Sequence, residues 1–190
     1  MGDIVLLRHG ETDWSLAGRH TSTTDLPLTA RGEDQAALVR PALAARAFAA
    51  VWVSPRLRAR RSADLAGLTP TAVDPDLAEW DYGDYEGVTT ADIRLGRPGW
   101  DLWRDGCPGG ESPKDVGARL DRVLGRARPL LAHGDVAFVA HGHSLRVCGA
   151  RWIDLPPAGG ASLRLDTSTL SVLGYERDTP VLLRWNAPVG

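Results

Sequence analysis

His9 is the first residue along the chain whose type and setting suggest chemistry. It lies in Arg8-His9-Gly10-Glu11-Thr12, directly after the apolar run 4–7. Imidazole is largely neutral, and therefore nucleophilic, near pH 7. The arginine before it offers a planar fork of donors suited to phosphate. Gly10 is expected to allow a sharp turn and a close ligand approach. A second cluster, His141-Gly142-His143-Ser144, follows the apolar run 135–140. A third, Ser54-Pro55-Arg56-Leu57-Arg58, follows the run 49–53. Each is weak alone, but three such clusters after three short apolar runs point to one site.

Those runs have strand length and near-continuous apolar character, as in strands buried on both faces of a parallel sheet. Helices are expected between them. Thr29 is a plausible N-cap for residues 30–46, and Ser54-Pro55 reads as an N-cap with proline at N1, opening a helix to about Gly67. Ser112-Pro113-Lys114-Asp115 resembles a capping box. Val116, Leu120, Val123, Leu124, Ala127 and Leu131 follow at helical spacing, and Gly134 is a natural stop. A helix is expected near 144–151, and two or three strands within 162–185. This alternation predicts an α/β fold with a mostly parallel sheet. Ligands in such sheets bind beyond the carboxyl ends of the strands, where the three clusters fall.

The chain has 190 residues, 43% hydrophobic and 24% charged, with a formal net charge of −2. That length suits one domain, 1–190. The longest apolar runs are far below the ~20 residues of a membrane span, and no basic-then-apolar leader opens the sequence. Near-zero net charge argues against a nucleic-acid partner. Two cysteines are too few for a disulfide framework and lack metal-ligand spacing, so a reduced, cytoplasmic setting is expected. Lys114 is the only lysine among 22 basic residues. Arginine favours forked phosphate recognition, although most surface arginines simply pair with carboxylates.

LLRHGETDWSLAGRHTSTTDLPLTARG resembles the opening motif of the histidine phosphatase superfamily, in its phosphoglycerate mutase-like branch. The resemblance continues in family order through SPRLRARRSA, LAEWDYGDYEG, PGGES and VAHGHSLR. Five ordered motifs are far more specific than one. They imply a three-layer α/β/α sandwich with a mostly parallel central sheet. Residues of about 80–112 would form a cap or loop segment over the site. The implied nucleophile is His9, with Arg8 and Arg58 on the phosphoryl oxygens. His141 would be a protonated partner in the same positive cradle, and Glu79 the general acid and base. No metal or other cofactor is implied. Where many relatives carry asparagine and Gln-Gly, this chain has Ser15 and Thr21-Ser22. Ser15 and Thr21 could still donate to phosphate, or serve the loop alone.

The implied activity is hydrolysis of a small phosphate monoester, a sugar phosphate or an aromatic phosphate of the flavin mononucleotide kind. A phosphoglycerate mutase is the first alternative, but the family's mutases carry a longer basic insertion between the Glu79 and His141 regions. A non-catalytic phosphate-binding module is the second. Trp14, Trp80, Trp100 and Trp103 are core residues or an aromatic pocket wall. Glu11 is expected to shape the charge at His9 or to pair with an arginine. Arg60 and Arg61 read as a solvated face, His143 as a supporting or packing residue, and Cys148 as core. His20 and His133 carry no evident role. The C-terminal strands offer an edge through which a homodimer could form.

Overall fold

The computed structural model describes residues 1–189. Its strands are β1 (Ile4–Arg8), β2 (Phe48–Val53), β3 (Ala72–Val73), β4 (Asp135–Ala140), β5 (Leu170–Glu176) and β6 (Thr179–Ala187). Its helices are α1 (Asp13–Leu16), α2 (Ala30–Leu38), α3 (Arg40–Leu43), α4 (Leu57–Leu65), α5 (Thr90–Gly96), α6 (Leu102–Asp105), α7 (Pro113–Ala127) and α8 (Gly142–Trp152). One six-stranded sheet has the order β3-β2-β4-β1-β5-β6. The four strands from β3 to β1 pair in parallel, and β5 and β6 are antiparallel.

Strand alternation explains the layers. Ile4 and Leu6 of β1 join Phe138 and Ala140 of β4 in one core with α7 and α8. Val5 and Leu7 join Val139, Val53 and the α4 residues Ala59 and Ala63 in the other. Both faces of the central strands are therefore apolar, and helices cover both. Burying each such aliphatic side chain contributes roughly 1.5–3 kcal/mol.

The helix signals at Thr29 and Ser112 operate as read. Thr29 accepts from the Gly32 N–H, and Ser112 and Asp115 form a reciprocal capping box. The predicted 30–46 helix breaks at Val39 into α2 and α3, with Pro41 at the start of the second. Proline removes an N–H and clashes one turn back. The α7 pattern passes into a 3-10 turn, Arg128–Ala132, before Gly134. The Ser54-Pro55 reading requires correction. The fourth helix starts at Leu57 behind Arg56, with no side-chain cap; the Ser54 hydroxyl lies 2.6 Å from His141 Nε2 and accepts the Arg56 N–H at 3.4 Å.

Gly10 also has a different reason from the one expected. A Cβ there would collide with the Gly32 carbonyl, and a Cβ on Gly32 would collide with the Glu11 backbone. The two glycines let the His9 loop lie directly on α2.

Candidate active site

Register brings the clusters together. Arg8 ends β1 opposite Ala140, the last residue of β4, and the His9 N–H donates to the Ala140 carbonyl at 3.0 Å. His9 and His141 thus emerge side by side, with ring centroids 5.1 Å apart. The Ser54 N–H donates to Val139 across the β2–β4 pair. That sets the Ser54 hydroxyl 2.6 Å from His141 Nε2.

Hydrogen bonds fix the protonation of both rings. His9 Nδ1 lies 2.7 Å from the Gly10 carbonyl, which can only accept, so Nδ1 carries the proton. Nε2 keeps its lone pair. Burial, then Arg58 and Arg8, hold the His9 pKa well below its ordinary value. His141 has the opposite tautomer. Its Nδ1 accepts from Arg58 Nε at 3.2 Å, so Nε2–H donates to Ser54. The protonated His141 expected from the sequence is therefore corrected to a neutral ring. Burial, Arg58 and His9 disfavour the cation.

Arg58 is fully buried on α4. Besides His141, it donates to the carbonyls of Thr24, Thr21 and Ser22. It is thus a clamp on the 21–24 loop as well as a cation behind His9. The carboxylate of Glu86 holds the same loop through the N–H groups of Ser22 and Thr24. Ser62, one turn beyond Arg58, donates to the Arg58 carbonyl and accepts from the Gly10 N–H. It ties the His9 loop to α4.

Glu79 is buried, and its carboxylate accepts three backbone N–H groups. Oε1 takes Trp80 and Ser144 at 2.8 Å each, and Oε2 takes His143 at 3.0 Å. His143 and Ser144 lie in the first turn of α8, where N–H groups lack helical partners. Glu79 caps that helix from outside and sits in the positive end of its dipole. This fixes its rotamer and leaves Oε2 a lone pair for a proton. Arg119 holds the segment before it, donating to the carbonyls of Asp76 and Ala78 and to Glu111. The helix N-terminus at the site is therefore that of α8.

A cavity of about 210 Å³ opens at these strand ends. Arg8, His9, Ser15, Thr21 and Glu79 line it, whereas Arg58 and His141 stand behind His9 and do not. The Arg8 Nε is buried without a hydrogen-bond partner, and its Nη1 donates to the Leu165 carbonyl. A Cβ on Gly142 would come within 3.2 Å of the Arg8 guanidinium, so glycine at the start of α8 admits it. The Ser15 hydroxyl donates to the Thr12 carbonyl and accepts the Thr12 N–H, as the capping box of α1. The Thr21 hydroxyl donates to the Arg19 carbonyl.

The cavity also gathers residues that the sequence reading did not assign to it: Arg19, His20, Tyr82, His143 and Arg146. Among the described residues no tryptophan lines it, which overturns the aromatic wall. Trp80 and Trp100 are core residues. Trp14 packs over Gly87, and Trp103 lies against Gly160 and under the Arg146 guanidinium. Of the 80–112 segment, Tyr82 and Thr90 reach the cavity wall, while Ile93, Leu102 and Cys107 pack in the core. Glu11 accepts from the Thr29 hydroxyl, and among the described residues it makes no ion pair with an arginine. Arg61 pairs with Glu33 and Asp64 on a half-exposed face. Cys148 is core.

The model of the histidine phosphatase superfamily (branch 1) matches residues 4–188. An acid phosphatase of Mycobacterium tuberculosis is 44% identical over 175 residues, 91% of this chain and 86% of that protein. Sedoheptulose 1,7-bisphosphatase of Saccharomyces cerevisiae is 36% identical over 210 residues, 92% of this chain and 75% of that one. The solved structure of a Mycobacterium tuberculosis open reading frame superposes with a TM-score of 0.96 at 41% identity, covering 100% of this chain and 99% of that one. The chain belongs to the histidine phosphatase superfamily, branch 1, and is a phosphoric monoester hydrolase.

Proposed function

We propose that the protein hydrolyses a small organic phosphate monoester in two displacements through a phosphohistidine on His9. The observation that carries this is the His9 ring itself: Nδ1–H committed to Gly10, Nε2 bare, and two arginines beside it. In the first displacement the Nε2 lone pair attacks phosphorus and the P–O ester bond breaks. Glu79 Oε2 gives its proton to the departing alkoxide. In the second, the Glu79 carboxylate takes a proton from water, whose oxygen attacks phosphorus and releases Nε2 with its lone pair. Splitting the reaction avoids one harder step. Proton transfer of this kind contributes roughly 10²–10⁴ in rate.

Charge on the equatorial oxygens is met by Arg8, with Arg58 and the neutral His141 supporting from behind. His9 Nδ1–H on the Gly10 carbonyl stabilises the cationic phosphohistidine. Ser15 and Thr21 line the same cavity, and their hydroxyls can rotate toward phosphate. Of residues 80–112, Tyr82 and Thr90 form part of one side of the site. The arginines supply the positive charge, so the chemistry needs no metal. The leaving group is of the sugar type, because the remaining wall is polar and carries Arg19 and Arg146. A reducing, cytoplasmic setting suits the two free, buried cysteines.

The test is phosphate release from p-nitrophenyl phosphate, sugar phosphates and bisphosphates, 3-phosphoglycerate and flavin mononucleotide, at pH 5–8 with EDTA. Wild type and His9→Ala are run together. His9-dependent release supports the reading. Interconversion of phosphoglycerates without release would make the protein a mutase, and binding without turnover would make it a binding module.

A further inference from the structure

Three polar rings behind Arg8 take no part in the two displacements: His20, Tyr82 and His143. They form one cluster, with His20 and His143 stacked and Tyr82 edge-on to His143. His20 and Tyr82 centroids lie 4.6 Å apart, and His20 and His143 centroids 6.2 Å apart at 30°. All three line the cavity. A cluster of this kind inside a phosphate site needs a reason, because polar groups taken from water require partners.

Hydrogen bonding assigns each ring one state. His20 Nδ1 lies 2.8 Å from the Val88 carbonyl, so Nδ1 carries a proton and Nε2 holds a lone pair. Tyr82 is buried, and its hydroxyl lies 2.6 Å from His143 Nδ1, its one hydrogen-bond partner among the described residues. The phenol proton therefore points to Nδ1, and His143 carries its own proton on Nε2. Burial raises the Tyr82 pKa well above the usual value, which keeps that proton in place. Burial lowers His20, with Glu79 and Glu86 opposing, and burial with Arg146, His20 and Arg8 lowers His143. Both imidazoles are neutral. Neither Nε2 bonds a protein group, yet neither is among the sealed unpartnered atoms, so both open to the cavity.

We propose that His143 Nε2–H and His20 Nε2 are a donor–acceptor pair that reads hydroxyl groups of the leaving alcohol, so that polyhydroxylated phosphate esters are preferred over alkyl and aryl ones. This rests on the phosphatase reading. A hydroxyl both donates and accepts, and two neutral rings of opposite polarity satisfy both capacities. Sites built to bond a hydroxyl reject analogues that lack it, because their own polar groups are then left unpaired. Tyr82 is the positioning residue, holding the His143 tautomer.

The experiment compares kcat/KM for erythritol 4-phosphate and butyl phosphate, which share a chain length and an alkoxide leaving group. The wild-type ratio is expected to be about 10² or more. His143→Phe and His20→Phe should each reduce that ratio about tenfold. His20→Gln, which restores an acceptor oxygen, should recover part of it. Tyr82→Phe removes one hydroxyl at constant shape and should reduce the ratio while the melting temperature stays within a few degrees. A wild-type ratio near one, or a ratio unchanged in folded variants, overturns the proposal and leaves the phosphatase standing. Failure of the wild type to release phosphate from either ester or from p-nitrophenyl phosphate overturns the phosphatase reading itself.

Discussion

The two halves of the proposed site are built differently. The phosphoryl half, Arg8, His9, Arg58 and His141, rests on the ends of β1 and β4 and the first turn of α4, and main-chain pairing between neighbouring parallel strands fixes it. The leaving-group half, Arg19, His20, Tyr82 and His143, comes largely from loops zipped together by pairing of residues 19–20 with 87–89. A rigid sheet edge suits a reacting atom that must be placed within fractions of an ångström. Loops can vary around it without disturbing the chemistry. Glu79 belongs to both halves: a loop residue, it is locked by the N–H groups of α8.

The largest expected effect breaks the phosphoryl half. His9→Ala should lower phosphate release by at least about 10⁴-fold for every ester, as loss of a nucleophile does elsewhere. Stopped assays of inorganic phosphate check this, and a residual rate within tenfold of wild type would deny His9 the role.

Glu79→Gln comes next and separates the halves. It should cost about 10²–10⁴ in kcat/KM for alkyl phosphates and less than tenfold in kcat/KM for p-nitrophenyl phosphate, whose leaving group needs little protonation, while kcat falls for both because the second displacement loses its base. The amide also puts N–H groups where the His143 or Ser144 N–H now donates. Thermal unfolding should therefore show a loss of about 1–3 kcal/mol. Equal losses of kcat/KM for both esters would remove Glu79 as the acid.

Acid sensitivity is the third difference. The His9 pKa lies well below 6.5, so Nε2 stays unprotonated as pH falls through 6.5. The acidic limb of kcat/KM should thus lie below pH 6.5. Stability should run the other way. In the unfolded chain His9, His141 and His143 titrate near 6.5, whereas the folded protein keeps them neutral. The unfolded state then binds more protons below pH 6.5, and each ring contributes up to about 1.4 kcal/mol of destabilisation per pH unit. Urea unfolding at pH 7 and pH 5.5 measures this. An acidic limb above pH 6.5 would mean that the cation is tolerated in the site.

Ser15→Ala is expected to have the smallest effect. It removes the α1 capping box, at about 0.5–2 kcal/mol. A loss of kcat/KM larger than that of global stability would show its hydroxyl on the substrate.

This contrast also decides what the sequence discloses. The strands at 4–8, 48–53 and 135–140 are readable because apolar runs between polar clusters have one economical reading in an α/β chain. His9, Arg58, His141 and Glu79 are readable because they stand in compact motifs. The tautomers are not, since they depend on acceptors such as the Gly10 carbonyl and Ser54 that only register supplies. The Trp14 and Trp103 wall fails because large rings are as useful in packing as in pockets. His20 and Tyr82 lie 62 residues apart with no shared pattern, and only the pairing of their loops brings them together. Ser54 fails as a cap for a related reason: local propensity favours it, but the helix begins only at Leu57 and the Ser54 hydroxyl faces His141 beyond the end of β4.

The central claim is that phosphorus passes through His9 Nε2. It is tested most directly by rapid quenching of the wild type with 32P-labelled p-nitrophenyl phosphate under alkaline conditions, followed by peptide mapping. The account predicts acid-labile, alkali-stable label on the peptide containing His9, formed and lost at rates at least as fast as turnover, and absent from His9→Ala. Full turnover with no label on that peptide, or with label on another residue, would contradict it.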